Sequence, residues 1–202
     1  MRVTFQCEGL TLEGDLTAQA GARRAAVICH PHPQYGGDMD NPIVLALARA
    51  FQDAGFSSLR FNFRGVGGSQ GAYGNGIGEV ADLKAASGYL IDGDYASELV
   101  LAGYSFGAMV ILRGGPSVAA AHGLVAIAPP LAFFDLGSLA GCAQRKLFVV
   151  GDRDAYCDVA RLTAQLSAVP EPKACHVLPG ADHFFSRQER MVYDALRAWI
   201  GA

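Results

Sequence analysis

Ser105 sits in the five-residue stretch Gly103-Tyr104-Ser105-Phe106-Gly107, where a hydroxyl is flanked two residues on either side by glycine. A serine in a sharp turn can be held in a strained left-handed conformation with its hydroxyl clear of the backbone. This requires that the residues two before and two after have almost no side chain. The amide of Phe106 then falls at the start of whatever helix follows and points to where negative charge develops when the serine attacks a carbonyl. Alone, the pattern also suits a glycine-rich turn that merely packs a strand on a helix. Partners must decide.

A hydroxyl is a poor nucleophile at neutral pH, so Ser105 needs a base, and a histidine base needs an acceptor on its second ring nitrogen. Two later stretches offer both: Gly151-Asp152-Arg153-Asp154, and Pro179-Gly180-Ala181-Asp182-His183-Phe184-Phe185. Ser105, Asp154 and His183 in that chain order can fill the roles of nucleophile, orienting acid and base. The acid is chosen among neighbours. Asp152 lies at the expected bend where Gly151 breaks the extended run, a place to cap loop amides. Asp154 lies further out, from where it can reach the loop of His183. Asp182 is adjacent to His183, and adjacent side chains in an extended loop diverge. Asp135, after an earlier strand, is an outside choice.

The elements that must position these residues are legible as apolar patterns. Leu99 to Ala102 reads as a buried strand running into the Ser105 turn, and Ala108 to Leu112 favours a helix after it. Val3 to Phe5 and Leu10 to Leu16 alternate as in an antiparallel hairpin with one wet face. Ala25 to Cys29, Phe56 to Phe63, Gly123 to Ala128, Leu147 to Val150 and Cys175 to Leu178 read as further strands, the first of them uniformly apolar, as for a strand covered on both sides. Between them Asn41-Pro42 marks a helix start, with Ile43, Val44, Leu47 and Phe51 on one face. Val80, Leu83, Ser87, Leu90 and Ile91 mark a second helix. Val159, Leu162, Leu166 and Val169 mark another, and Val192, Leu196, Trp199 and Ile200 a last one. Strands alternating with helices predict a mostly parallel α/β sheet in a three-layer α/β/α sandwich. Its ligand site should lie beyond the carboxyl ends of the strands, where Ser105, Asp154 and His183 each fall.

Composition narrows the function classes. The 202 residues suit one domain spanning 1–202, and 51% hydrophobic with 17% charged residues is the balance of a well-buried chain. A formal net charge of -3 leaves no basic face for phosphates, so neither nucleic acid nor an anionic membrane is an expected partner. The polar opening residues and the lack of a long apolar run predict a cytoplasmic location. The glycine-rich stretch 64–71 misses the dinucleotide spacing, and no G-K-[ST] occurs, so no cofactor is expected. Cys7, Cys29, Cys142, Cys157 and Cys175 are scattered, which predicts reduced and mostly buried thiols, Cys29 and Cys175 above all. His30 and His32 form an H-x-H pair without a third ligand at metal-site spacing, so no metal is expected. Arg64 is expected to pin loops by pairing with a carboxylate, and Glu79 and Asp82 to favour a helix start.

With these motifs, and with His30-Pro31-His32-Pro33 and Phe61-Asn62-Phe63-Arg64-Gly65-Val66-Gly67-Gly68-Ser69, nearly the whole sequence resembles the α/β-hydrolase superfamily. The likeness is to its small bacterial dienelactone-hydrolase-like branch. It differs from dienelactone hydrolases proper in having serine at the nucleophile. The resemblance implies eight strands in the order 1-2-4-3-5-6-7-8 with strand 2 antiparallel, and its Gly-x-x-Asp pattern matches Gly151 and Asp154. A second oxyanion donor is expected from the loop after Cys29, where Pro31 and Pro33 have no N–H and leave His32 and Gln34. The family's His-Gly-x pattern implies His32 beside Phe106. Tyr35 and Phe184 are candidates to line the pocket.

Roughly sixteen residues separate Pro130 from Leu147, too few for a multi-helix cap, so an open site without a cap domain is expected. The expected activity is cleavage of short-chain carboxylic esters, a small-molecule substrate, through an acyl-enzyme on Ser105. A thioesterase, lactonase, small peptidase or acyltransferase would use the same residues. A non-catalytic binding protein of the same fold is the alternative from another class. The sequence leaves oligomeric state open.

Overall fold

The computed structural model describes residues 1–201. Its sheet begins with the hairpin β1 (Arg2–Cys7) and β2 (Leu10–Thr17), whose burial alternates as the sequence pattern requires. Then follow β3 (Arg24–Cys29), α1 (Pro42–Gln52), β4 (Ser57–Phe61), α2 (Gly78–Asp92), β5 (Glu98–Tyr104), α3 (Phe106–Gly114) and β6 (Ala121–Ile127). The chain closes with β7 (Arg145–Gly151), α4 (Val159–Leu166), β8 (Lys173–Leu178) and α5 (Glu189–Gly201). The eight strands lie in the order β1-β2-β4-β3-β5-β6-β7-β8. β2 runs antiparallel to both neighbours and every other pairing is parallel.

Helices cover both faces of this sheet because its central strands are apolar on both sides. On one face Ile43 and Phe51 of α1 and Val192, Leu196 and Trp199 of α5 pack against Ile28, Val125 and Val149. On the other, Leu83 and Leu90 of α2, Ile111 of α3 and Leu162 of α4 meet Val27, Leu101 and Phe148. α1 starts where Asn41 and Pro42 predict: the Asn41 side chain accepts a hydrogen bond from the Ile43 amide, and proline occupies the first helical turn. Only a short 3-10 turn, Gly137–Leu139, interrupts the connection from β6 to β7, and no cap domain lies there.

Three sequence expectations are corrected. β4 stops at Phe61 rather than Phe63, because the Phe63 amide leaves the ladder and donates to His30 Nε2 at 3.1 Å. Gly151 does not break its strand but is the last residue of β7, paired with Leu178. It is glycine for space, since a Cβ there would run into the Ala181 backbone. Cys175, expected to be buried, is exposed. β8 is the sheet's edge, and its alternation turns Cys175 outward while Leu178 faces the core. The other four cysteines are buried, and all five are free.

Candidate active site

The site is built from the ends of β3, β5, β7 and β8, which adjacent parallel pairings bring to one edge of the sheet. β5 ends at Tyr104, and Ser105 follows with φ 54° and ψ −115°, a strained conformation for a residue with a side chain. The turn is over-determined. The Ser105 amide donates to Ile127 O at 2.8 Å, its carbonyl accepts from Met109 N at 3.1 Å, and the flanking glycines leave no room for anything larger. A Cβ on Gly103 would lie 2.7 Å from Ala108 N, and one on Gly107 would lie 2.7 Å from the His30 carbonyl. Both glycines are therefore dictated by backbone approach, which agrees with the reading of the motif.

His183 Nε2 lies 2.9 Å from Ser105 Oγ. On its other side His183 Nδ1 lies 2.9 Å and 3.0 Å from the two carboxylate oxygens of Asp154. An imidazole between a hydroxyl and a carboxylate carries its proton on Nδ1, which donates to Asp154 and leaves Nε2 to accept from the serine. Asp154 is held in turn: its Oδ1 accepts from the Tyr156 and Cys157 amides at 2.8 and 2.9 Å. The His183 loop is tied to the Ser105 strand by Tyr104, whose hydroxyl donates to His183 O at 2.9 Å. That burial, with the Asp154 and Asp182 charges nearby, pushes the Tyr104 phenol upward and keeps it a donor.

The other acids are engaged elsewhere. Asp152 is exposed and its Oδ1 accepts from Gly180 N at 2.7 Å. Asp182 caps the Phe184 and Phe185 amides, and Asp135 caps Gly137. Of the four acids, only Asp154 is within reach of the His183 ring.

Phe106 and His32, the residues read as oxyanion donors, line the same cleft as Ser105. Phe106 N is the first of α3, an amide with no acceptor inside its own helix. In the β3 loop, the Gln34 N–H is taken by His32 Nδ1 at 3.2 Å, whereas the His32 N–H has no acceptor among the described residues. The His32 ring is wedged against Tyr35, Tyr73 and Phe106, with centroids 4.7 to 5.1 Å away. Because Nδ1 accepts from Gln34, the ring proton sits on Nε2 and donates to Tyr73 Oη at 3.2 Å. Burial lowers the His32 pKa, so the ring stays neutral. His30 is a structural neighbour: fully buried, it accepts from Phe63 N and donates from Nδ1 to Pro31 O at 2.6 Å, and burial lowers its pKa to about 4. No group of three or more His, Cys, Asp or Glu among the described residues is arranged to hold a metal ion.

A cleft of about 910 Å³ opens over Ser105 and His183. Tyr35 and Phe184 line it at the rim, 86% and 62% exposed. Sequence reasoning did not single out Tyr73, Met109, Arg113, Phe133 and Tyr156, which also line it. Met109 and Arg113 were detectable as the i+3 and i+7 companions of Phe106 on one helical face. Tyr73 comes from the loop 62–77, and no local pattern foretells where that loop lies. Two buried carboxylates anchor it. Asp82 accepts from Arg64 N, Nε and Nη2 at 2.8 to 3.0 Å, and Glu79 accepts from the Gly74 and Gly76 amides, both at 2.7 Å. The expected Arg64 pairing is thus present. Glu79 lies in the first turn of α2, as the helix-start reading expects, whereas Asp82 falls one turn further in; both are fully buried and also anchor the loop.

Comparison with known proteins places this architecture. No family model matches the chain. An uncharacterized protein of Rickettsia prowazekii, RP471, is 36% identical over 171 residues, covering 79% of this chain and 71% of that protein. An alpha-beta serine hydrolase homologue from Coxiella burnetii superposes with a TM-score of 0.91 at 34% identity, over 98% of this chain and 96% of that one. A serine hydrolase without a lid from Xanthomonas campestris matches with a TM-score of 0.90 at 31% identity, over 100% and 95% of the two chains. The chain belongs to the α/β-hydrolase superfamily and is a hydrolase. Within the superfamily it is similar to serine hydrolase homologues, one of which has no lid.

Proposed function

We propose that the protein hydrolyses short-chain carboxylic esters through an acyl-enzyme on Ser105, with His183 as base and Asp154 as its orienting acid. The observation that carries this reading is the unbroken path from carboxylate through imidazole to a strained, half-buried hydroxyl that lines the cleft, each step 2.9 Å. Ser105 Oγ attacks the ester carbonyl carbon while His183 Nε2 takes the hydroxyl proton. The carbonyl oxygen becomes an oxyanion that accepts from the Phe106 and His32 amides. Collapse expels the alcohol, which receives the proton from Nε2 and leaves an acyl-serine. Water, deprotonated by the same nitrogen, then releases the carboxylic acid and restores Ser105.

Asp154 stabilises the imidazolium and keeps the proton on Nδ1 without taking it. Neutral His32 fits beside an oxyanion because its ring supplies packing and its backbone the donor. The short connection between β6 and β7 supports small, soluble substrates, since nothing closes over the cleft.

The test is a panel of p-nitrophenyl esters of increasing acyl length, together with labelling by a serine-directed fluorophosphonate. Wild type should be labelled and should turn over acetate to hexanoate esters, and Ser105→Ala should lose both. Labelling that persists in Ser105→Ala, or a wild type that cleaves no ester, overturns the reading.

A further inference from the structure

The cleft above Ser105 is lined by aromatic, apolar and neutral polar groups with one exception. Arg113 is the only residue lining it that carries a fixed charge at neutral pH. Its guanidinium makes no ion pair: no carboxylate oxygen of the described residues lies within 4.0 Å. Arg113 is exposed, and it lies against the Gly76 turn. Gly76, with φ +80°, folds over α3 so closely that a Cβ there would sit 2.9 Å from Met109 Cε and 3.3 Å from Arg113 Nη1. The guanidinium also lies 5.7 Å from the centre of the Phe134 ring. Glu79 holds the Gly76 turn in place by accepting from its amide, and both Glu79 oxygens are already engaged there.

Phe106, Met109 and Arg113 follow at i, i+3 and i+7 and form one face of α3, so the face that presents an oxyanion amide at one end presents a guanidinium at the other. Eight residues of helix separate Ser105 from Arg113, about 12 Å along the axis, and side chains lean back toward the helix start. Between nucleophile and cation there is room for a chain of roughly four to six bonds.

Resting on the ester reading above, we infer that the preferred substrates carry a carboxylate on the chain beyond the scissile ester, and that Arg113 is the residue that selects them. An exposed cation in a protein of net charge -3 draws anions toward the site as well as holding them. Its planar fork suits two carboxylate oxygens. The aromatic walls meanwhile pack the uncharged body of the substrate.

The experiment compares matched pairs of esters. On the acyl side these are the mono-p-nitrophenyl esters of adipate and pimelate against their methyl diesters. On the alcohol side they are the butyrate of p-hydroxyphenylpropionate against its methyl ester. Wild type should favour the anionic member of at least one pair by about tenfold or more in kcat/KM, chiefly through KM, and added salt should erode the preference. Arg113→Gln should abolish the ratio, Arg113→Lys should keep part of it, and Arg113→Glu should invert it.

A wild type that cleaves neutral and anionic members alike overturns this inference and leaves the esterase reading standing. A preference that survives in Arg113→Gln overturns the role of Arg113. A wild type that cleaves none of these esters overturns both readings together.

Discussion

Gly107 passes the end of β3 so closely that a Cβ on it would lie 2.7 Å from the His30 carbonyl oxygen, and closer still to that of Cys29. This approach ties the helix after Ser105 to the strand whose loop carries the His32 amide. One glycine therefore sets how closely the start of α3 approaches the loop that carries the proposed His32 donor.

Gly107→Ala should cost at least about 3 kcal/mol of stability, because backbone rather than a flexible side chain must move aside. The ester rate per folded molecule should fall as well, since Phe106 N and His32 N shift apart. Chemical denaturation and kinetics on the soluble fraction check both. A variant with the wild-type midpoint and wild-type rate would refute the account of the turn.

Asp154 and Asp152 are distinguished by what their oxygens touch. In Asp154→Asn the side-chain oxygen would stay on the Tyr156 and Cys157 amides, where Oδ1 now accepts, and the new NH₂ would face His183 Nδ1. Two donors cannot meet, so the histidine proton moves to Nε2, and kcat should fall by on the order of 10⁴ with substrate binding little changed. Asp152→Asn keeps an oxygen for Gly180 N and should leave kcat near wild type. Equal losses in the two variants would contradict the assignment.

Acyl length should matter in one direction. With no lid to cover a long chain, kcat/KM should peak at short acyl groups, and emulsified long-chain triglyceride should give no interfacial activation. A rate that jumps above the substrate's solubility limit would argue for a closure absent from this fold.

Acid should destabilise the fold through His30. Its pKa drops from 6.5 to about 4 because burial opposes the charge, so between those values the unfolded chain binds a proton that the folded one does not. The stability from a neutral His30 is complete above pH 6.5 and is lost as pH falls toward 4, by about 3 kcal/mol in all. Melting temperatures measured between pH 7 and pH 4 should fall less steeply in His30→Gln than in wild type. Parallel slopes would assign the acid sensitivity to another group.

The residues around Ser105 were legible in the sequence because their constraint is local. A positive-φ serine between strand and helix demands small neighbours at two fixed offsets, and Gly103 and Gly107 announce this without any knowledge of the rest of the chain. The alternation of apolar strands and amphipathic helices likewise follows from the period of burial along each segment, which is enough to infer a covered parallel sheet and the edge where its loops gather. Cys175 and Gly151 escaped this logic. Exposure at a sheet edge depends on strand order, and the need for glycine at 151 comes from Ala181, thirty residues away in sequence. The same separation governs the acid beside His183. Asp152 and Asp154 are nearly equivalent along the chain, and only the curl of the β7 loop against the β8 loop turns one carboxylate to Gly180 and the other to the imidazole. The cleft walls were least legible of all. Tyr73 and Arg113 come together because buried Glu79 and Asp82 fold the loop 62–77 onto α3, a contact between distant segments that no local period encodes.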